Sequence, residues 1–131
     1  MTIDAQALAG KHILIVDDEE LVREVTVMMV EEAGAVTFTA RDGAEAVEVF
    51  ALQHKNLAAV FMDFSMPHLN GFQAFEKMQE ISKAVPVVLV SGLKITPEVE
   101  AARAQEKLSF LNKPFKQDDV ISALKRAIFS E

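Results

Sequence analysis

LAAVFMDFSMPHLNG, residues 57–71, decides how this chain is read. Its first six residues are all apolar, and the run stops at Asp63 before Pro67 and Gly71 mark a loop. A short apolar run that stops this abruptly reads as a strand buried on both faces. A second run of the same kind, HILIV (12–16), ends in Asp17, Asp18, Glu19 and Glu20. Two doubly buried strands, each delivering aspartate at its carboxyl end, set the frame for the rest.

Outward from these runs the hydrophobic period alternates. Residues 19–33 place Leu21, Val22, Val25, Met28 and Met29 at helical spacings, with glutamates at both ends and Gly34 as a stop. AVTFTA (35–40) is β-branched and strand-like, and Asp42 can cap a helix carrying Ala46, Val47 and Phe50 on one face. A helix around 71–82 bears Phe72, Phe75, Met78 and Ile81. Pro86 precedes an apolar strand, VVLV (87–90), closed by Ser91 and Gly92. Thr96, Pro97 and Glu98 open a further helix. LSFLN (108–112) is the last strand, ended by Lys113 and Pro114, and 117–129 is a final amphipathic helix with Val120, Leu124 and Ile128. Met28, Met29, Met62 and Met78 are expected to fill the core. Five strands alternating with five helices predict an α/β fold, a five-stranded parallel sheet doubly wound as (βα)5. Residues 1–10 show no period and read as an N-terminal tail, which leaves 11–130 as the domain.

A chain of 131 residues, half hydrophobic and a quarter charged, suits one soluble domain. Its formal charge of −7 argues against direct nucleic-acid binding. The absence of cysteine excludes disulfides, thiolate catalysis and cysteine-ligated zinc. The first residues do not form a signal peptide, and no apolar run reaches the ~20 residues of a membrane helix. A cytoplasmic protein without membrane insertion is expected.

Doubly wound sheets bind ligands beyond the carboxyl ends of their strands, where the strand order reverses. For the flavodoxin-like order 2-1-3-4-5 that point lies between the first and third strands, which here end in Asp17–Asp18 and Asp63. Two other strands end in Ser91 and Lys113. Alone, an aspartate pair after a strand is often a helix cap, Ser–Gly a turn and Lys–Pro a loop opening. Together they gather three carboxylates, a hydroxyl and an amine on one rim. Carboxylates suit a hard divalent cation such as Mg2+. With its charge offset, a carboxylate can attack phosphorus while the hydroxyl and amine hold phosphoryl oxygens.

The stretches ILIVDDEE (13–20), VFMDFSMPHLNG (60–71), PVVLVSG (86–92) and FLNKPF (110–115) resemble a response-regulator receiver domain over about residues 11–130. The resemblance implies that Asp63 accepts a phosphoryl group from a histidine kinase or a His-containing phosphotransfer domain. It implies Mg2+ held by Asp17, Asp18, Asp63 and the backbone carbonyl of Ser65. Ser91 and Phe110 match the switch positions, Lys113 matches the lysine that contacts the phosphoryl group, and the Lys113–Pro114 bond is expected cis. Phe110 lacks the hydroxyl of the more usual tyrosine, and residues 104–109 lack the glycine often found before the last strand. Such a domain stands alone as a regulator or forms part of a hybrid sensor kinase or larger regulator.

Three other readings compete. A haloacid-dehalogenase-like Mg2+-dependent phosphohydrolase wants a second aspartate two residues after the nucleophile, where this chain has Ser65. A flavin or nucleotide binder wants a glycine-rich loop after the first strand, where this chain has acids. A degenerate receiver acting as a constitutive interaction module would not need the full acidic set. His12, His54 and His68 are scattered and read as structural or surface residues.

Overall fold

A computed structural model describes residues 5–92, 101 and 107–129. In chain order its elements are β1 (His12–Val16), α1 (Glu20–Glu31), β2 (Val36–Ala40), α2 (Gly43–Gln53), β3 (Leu57–Asp63), α3 (Gly71–Ile81), β4 (Val87–Ser91), β5 (Leu108–Asn112) and α4 (Gln117–Phe129). The helix expected to begin at Thr96–Pro97–Glu98 lies outside the described residues, as do residues 104–106 of the glycine-poor stretch. All strand pairs are parallel, and the sheet order is β2-β1-β3-β4-β5. The doubly wound sheet expected from the alternation is therefore present.

Each face of the sheet has its own core. Leu14, Val16, Val60, Met62 and Leu89 point to the side covered by α2 and α3, where Ala46, Phe50, Phe75 and Met78 meet them. The alternate residues Ile13, Ile15, Ala59, Phe61, Val88 and Val90 point the other way, against Val30 of α1 and Val120 and Leu124 of α4. Period-two alternation along β1, β3 and β4 thus feeds two apolar layers, which is why these strands carry no polar residue until their ends.

Local signals account for the helix boundaries. Asp42 caps α2 by accepting from the Glu45 amide at 2.7 Å. Asn70 and Gln73 form a reciprocal capping box that starts α3. Gly34, at φ +96°, ends the turn after α1, and its missing Cβ admits Ala5 and Ala9 of the N-terminal stretch to about 3.0 Å. That stretch is not wholly detached. Leu8 is fully buried against the α1–α4 face, and its amide donates to the Ala33 carbonyl at 2.8 Å. One anchoring side chain in a turn has no period, so the sequence pattern carried no sign of it.

Helix α1 corrects the expectation for its methionines. Met62 and Met78 are buried and Met29 packs partly against the core, but Met28 is 63% exposed. Leu21 and Val25, also on its face, are 72% and 42% exposed. The inward face is instead Val22, Thr26, Met29 and Val30, with the Thr26 hydroxyl donating to the Val22 carbonyl at 2.8 Å. The helix is apolar on two sides, and periodicity does not say which side the sheet takes. Among the described residues no helix is long and apolar enough to cross a membrane.

Candidate functional site

The carboxyl ends of β1 and β3 bring Asp17, Asp18 and Asp63 together, with one carboxylate oxygen from each lying within 4.8 Å of the others. Asp17 and Asp63 are buried, and Asp18 is exposed at the rim. Backbone bonds fix this end of the sheet. The Asp17 amide donates to the Ala40 carbonyl at 3.2 Å, and the Phe64 amide to the Val90 carbonyl at 2.8 Å. The Asp17 carboxylate accepts from the Glu19 amide at 2.9 Å, which turns the chain from β1 into α1.

Burial pushes the Asp63 carboxyl above the usual aspartate range, opposed by Lys113 and by a hydrogen bond from the Ser65 backbone. Burial also raises Asp17, opposed by the Glu19 amide, with the Asp63 charge adding to the rise. Lys113 Nζ stands 3.2 Å from Asp63 Oδ1. The approach is an ion-pair contact rather than an aligned hydrogen bond, since that buried oxygen has no hydrogen-bond partner. A buried, negatively charged oxygen with unused lone pairs beside two more carboxylates is a donor set for a hard cation.

The remaining residues arrive by register. Ser91 ends β4, is buried, and pairs across to Asn112 of β5. The Lys113 amide donates to the Ser91 carbonyl at 3.0 Å, so the two residues are neighbours along the backbone. The Lys113–Pro114 bond is cis. Ser65 is exposed in the loop after β3, and Gly92 borders Lys113, whose Cβ lies 3.9 Å from where a Gly92 Cβ would stand. Phe110 pairs with Leu89 along β5 and packs, half-buried, against the α2–α3 core.

The loop from β3 to α3 is built to tight tolerance. Met66 is buried in the core, and His68 takes a left-handed φ of 67°. A Cβ on Gly71 would stand 2.6 Å from the Asp63 carbonyl oxygen and 2.8 Å from Phe64 Cα. Gly43 is similarly close to Leu69, at 2.6 Å from its carbonyl oxygen. His12 packs edge-on to Phe38 and His54 stacks on Phe50, so two histidines are structural and the third, His68, is an exposed loop residue.

Arg23 is a site residue that the motif reading missed. Its Nη1 donates to the Asp17 backbone carbonyl at 2.8 Å, pinning the turn that presents the aspartates. A signal for it existed, since Arg23 is the lone cation among the acids of residues 17–24.

A family model for the response regulator receiver domain matches residues 13–125. The chain belongs to this family. It is 34% identical over 97% of its length to the transcriptional regulatory protein PdtaR of Mycobacterium tuberculosis, of which it spans 61%. A solved chemotaxis protein CheY4 from Vibrio cholerae superimposes with a TM-score of 0.77 at 27% identity, covering 91% of this chain and 99% of that one. A response regulator receiver domain from Clostridium thermocellum shares the fold with a TM-score of 0.83 at 24% identity, over 90% of this chain and 94% of that one. The chain is thus a phosphoacceptor receiver domain of the two-component type. Receiver domains are signalling phosphoacceptors, which sets the phosphohydrolase and nucleotide-binding readings aside.

Proposed function

We propose that Asp63 is the phosphoacceptor and that Asp17, Asp18, Asp63 and the Ser65 backbone carbonyl hold Mg2+ during transfer. The observation that carries this reading is the Asp63 carboxylate itself. It is buried, within 4.8 Å of the other two aspartates, with Lys113 at 3.2 Å from an oxygen that has no hydrogen-bond partner. Bound Mg2+ supplies charge neutralisation for the carboxylates and the incoming phosphoryl oxygens.

In this reading the protein assists its own phosphorylation. An Asp63 oxygen attacks phosphorus in line, a P–O bond forms as the donor's P–N bond breaks, and the imidazole leaves with the electron pair. Lys113 holds Asp63 ionised against its burial before transfer, then pairs with a phosphoryl oxygen. Ser91 donates its hydroxyl to another phosphoryl oxygen. Because Ser91 and Phe110 lie on the adjacent strands β4 and β5, a shift at Ser91 moves the setting of Phe110 and biases a pre-existing equilibrium of the neighbouring surface. The complete set of acids, hydroxyl and amine favours this over a degenerate receiver. The reading takes 11–130 as the receiver unit and places it in the cytoplasm.

The test is Mg2+-dependent labelling of the full chain by a small phosphodonor such as acetyl phosphate. Wild type should gain one acid-stable, alkali-labile phosphoryl group, and both Asp63→Asn and removal of Mg2+ should abolish it. Undiminished labelling of Asp63→Asn would sink the assignment.

A further inference from the structure

The opposite end of the sheet carries a second candidate site. Under the amino ends of β3, β4 and β5 lies an open cavity of about 770 Å3, with the last turns of α4 along one side. That volume falls within the range of roughly 300–1,000 Å3 typical of small-molecule sites. Six strand steps of ~3.3 Å separate Leu57 at this end of β3 from Asp63, roughly 20 Å in all. The cavity is therefore distinct from the acceptor.

Its lining combines two chemistries. Leu57, Leu108 and Ile128 are among its apolar lining residues, and the charged ones among the described residues are Lys11, Lys107 and Arg126. No carboxylate lines it among the described residues, although the chain has 20 acidic and 13 basic residues. The carbonyl end of α4 favours one cation in its last turn, which accounts for Arg126 but not for the two lysines. Both lysine heads are held near the cavity. Lys107 Nζ donates to the carbonyl of Ala84, itself a lining residue, at 3.2 Å. Lys11 Nζ sits 5.3 Å from the centroid of the Phe129 ring.

A hollow whose described lining joins apolar residues to three basic ones and no acid suits a ligand with an apolar body and one anionic head. We propose that this cavity binds a small amphipathic carboxylate, its tail against Leu57, Leu108 and Ile128 and its head beside Lys107 and Arg126. A nucleic acid is too large for a cavity of about 770 Å3, and a bare inorganic anion leaves its apolar part empty. The occupant touches β5 and α4 together, so it braces the last strand against the last helix.

Sodium octanoate is the probe, followed by amide chemical shifts of the full chain and by calorimetry, without any phosphodonor. The outcome is thereby separate from labelling of Asp63. Saturable shifts are expected at residues 107–110 and 123–128, with the amides of Asp17, Asp18 and Asp63 unmoved. The neutral analogue 1-octanol should bind at least about tenfold more weakly. The double substitution Lys107→Glu with Arg126→Glu changes two exposed side chains, so the fold should persist, as checked by circular dichroism. Its octanoate affinity should fall by about tenfold or more. No saturable shift at millimolar octanoate, equal binding of octanol, or an unchanged affinity in the folded double variant would each overturn the proposal.

Discussion

The two ends of the parallel sheet differ in the sign and in the setting of their charge. At the carboxyl end three carboxylates crowd within 4.8 Å, and burial raises two of them above the ordinary aspartate range. At the amino end Lys107 and Arg126 are exposed, with the Lys107 head donating to the Ala84 carbonyl at 3.2 Å. The backbone follows the same division. The acidic end leaves no room for a Cβ at Gly71, whereas Gly10, just before β1, has nothing within 4 Å of where its Cβ would stand. The acidic end therefore holds unfavourable electrostatic energy that a bound cation relieves. The basic end holds little, because water already solvates it.

Substitutions that break the carboxyl end should cost most. Gly71→Ala drives a methyl group into backbone atoms of Asp63 and Phe64 at 2.6 and 2.8 Å. A loss of about 3 kcal/mol is expected from such overpacking, together with slower labelling because the Asp63 backbone must move. Urea melts and acetyl phosphate labelling check both. Arg23→Gln removes the charged donor from the Asp17 carbonyl. About 1.5 kcal/mol should be lost, with part recovered in Arg23→Lys if a single charged donor suffices. At the amino end, Gly10→Ala meets open space and suffers only from its left-handed φ of +73°, so about 1 kcal/mol is expected. A Gly10→Ala cost equal to that of Gly71→Ala would erase the contrast in packing.

The same division explains what could be read from the chain. Strands β1, β3 and β4 were legible because burial on both faces leaves an unbroken apolar run that stops at a polar end. The gathering of Asp17, Asp63, Ser91 and Lys113 at one rim was legible because topology converts those stops into neighbours. Where one residue serves two partners the pattern fails. Helix α1 is apolar on both sides, so Met28 passed for core. Leu8 anchors a turn with a single side chain, and Arg23 acts on a backbone carbonyl, which no motif records. The cavity at the amino end joins Lys11, Leu57, Lys107 and Arg126, residues far apart in the chain with no shared period.

The smallest effect expected is also the one that most directly measures the stored charge. Asp17 is raised mainly by burial and Asp63 likewise, so their folded values lie above the ordinary 3.8. Between 3.8 and those folded values the native state binds more protons than the unfolded chain. The metal-free protein must then lose stability as pH rises through that window, and the loss is complete once pH exceeds those folded values. Asp17→Asn removes the charge yet keeps an oxygen to accept from the Glu19 amide. It should raise the neutral-pH melting midpoint, by less than about 1 kcal/mol in stability, with the gain vanishing as pH drops below the ordinary aspartate value. Millimolar MgCl2 should stabilise wild type at neutral pH and stabilise Asp17→Asn less, since the variant offers the cation one carboxylate fewer. A metal-free Asp17→Asn that melts below wild type at neutral pH would mean that Lys113 and the Glu19 amide already outweigh the burial. The acidic end would then be as relaxed as the basic one.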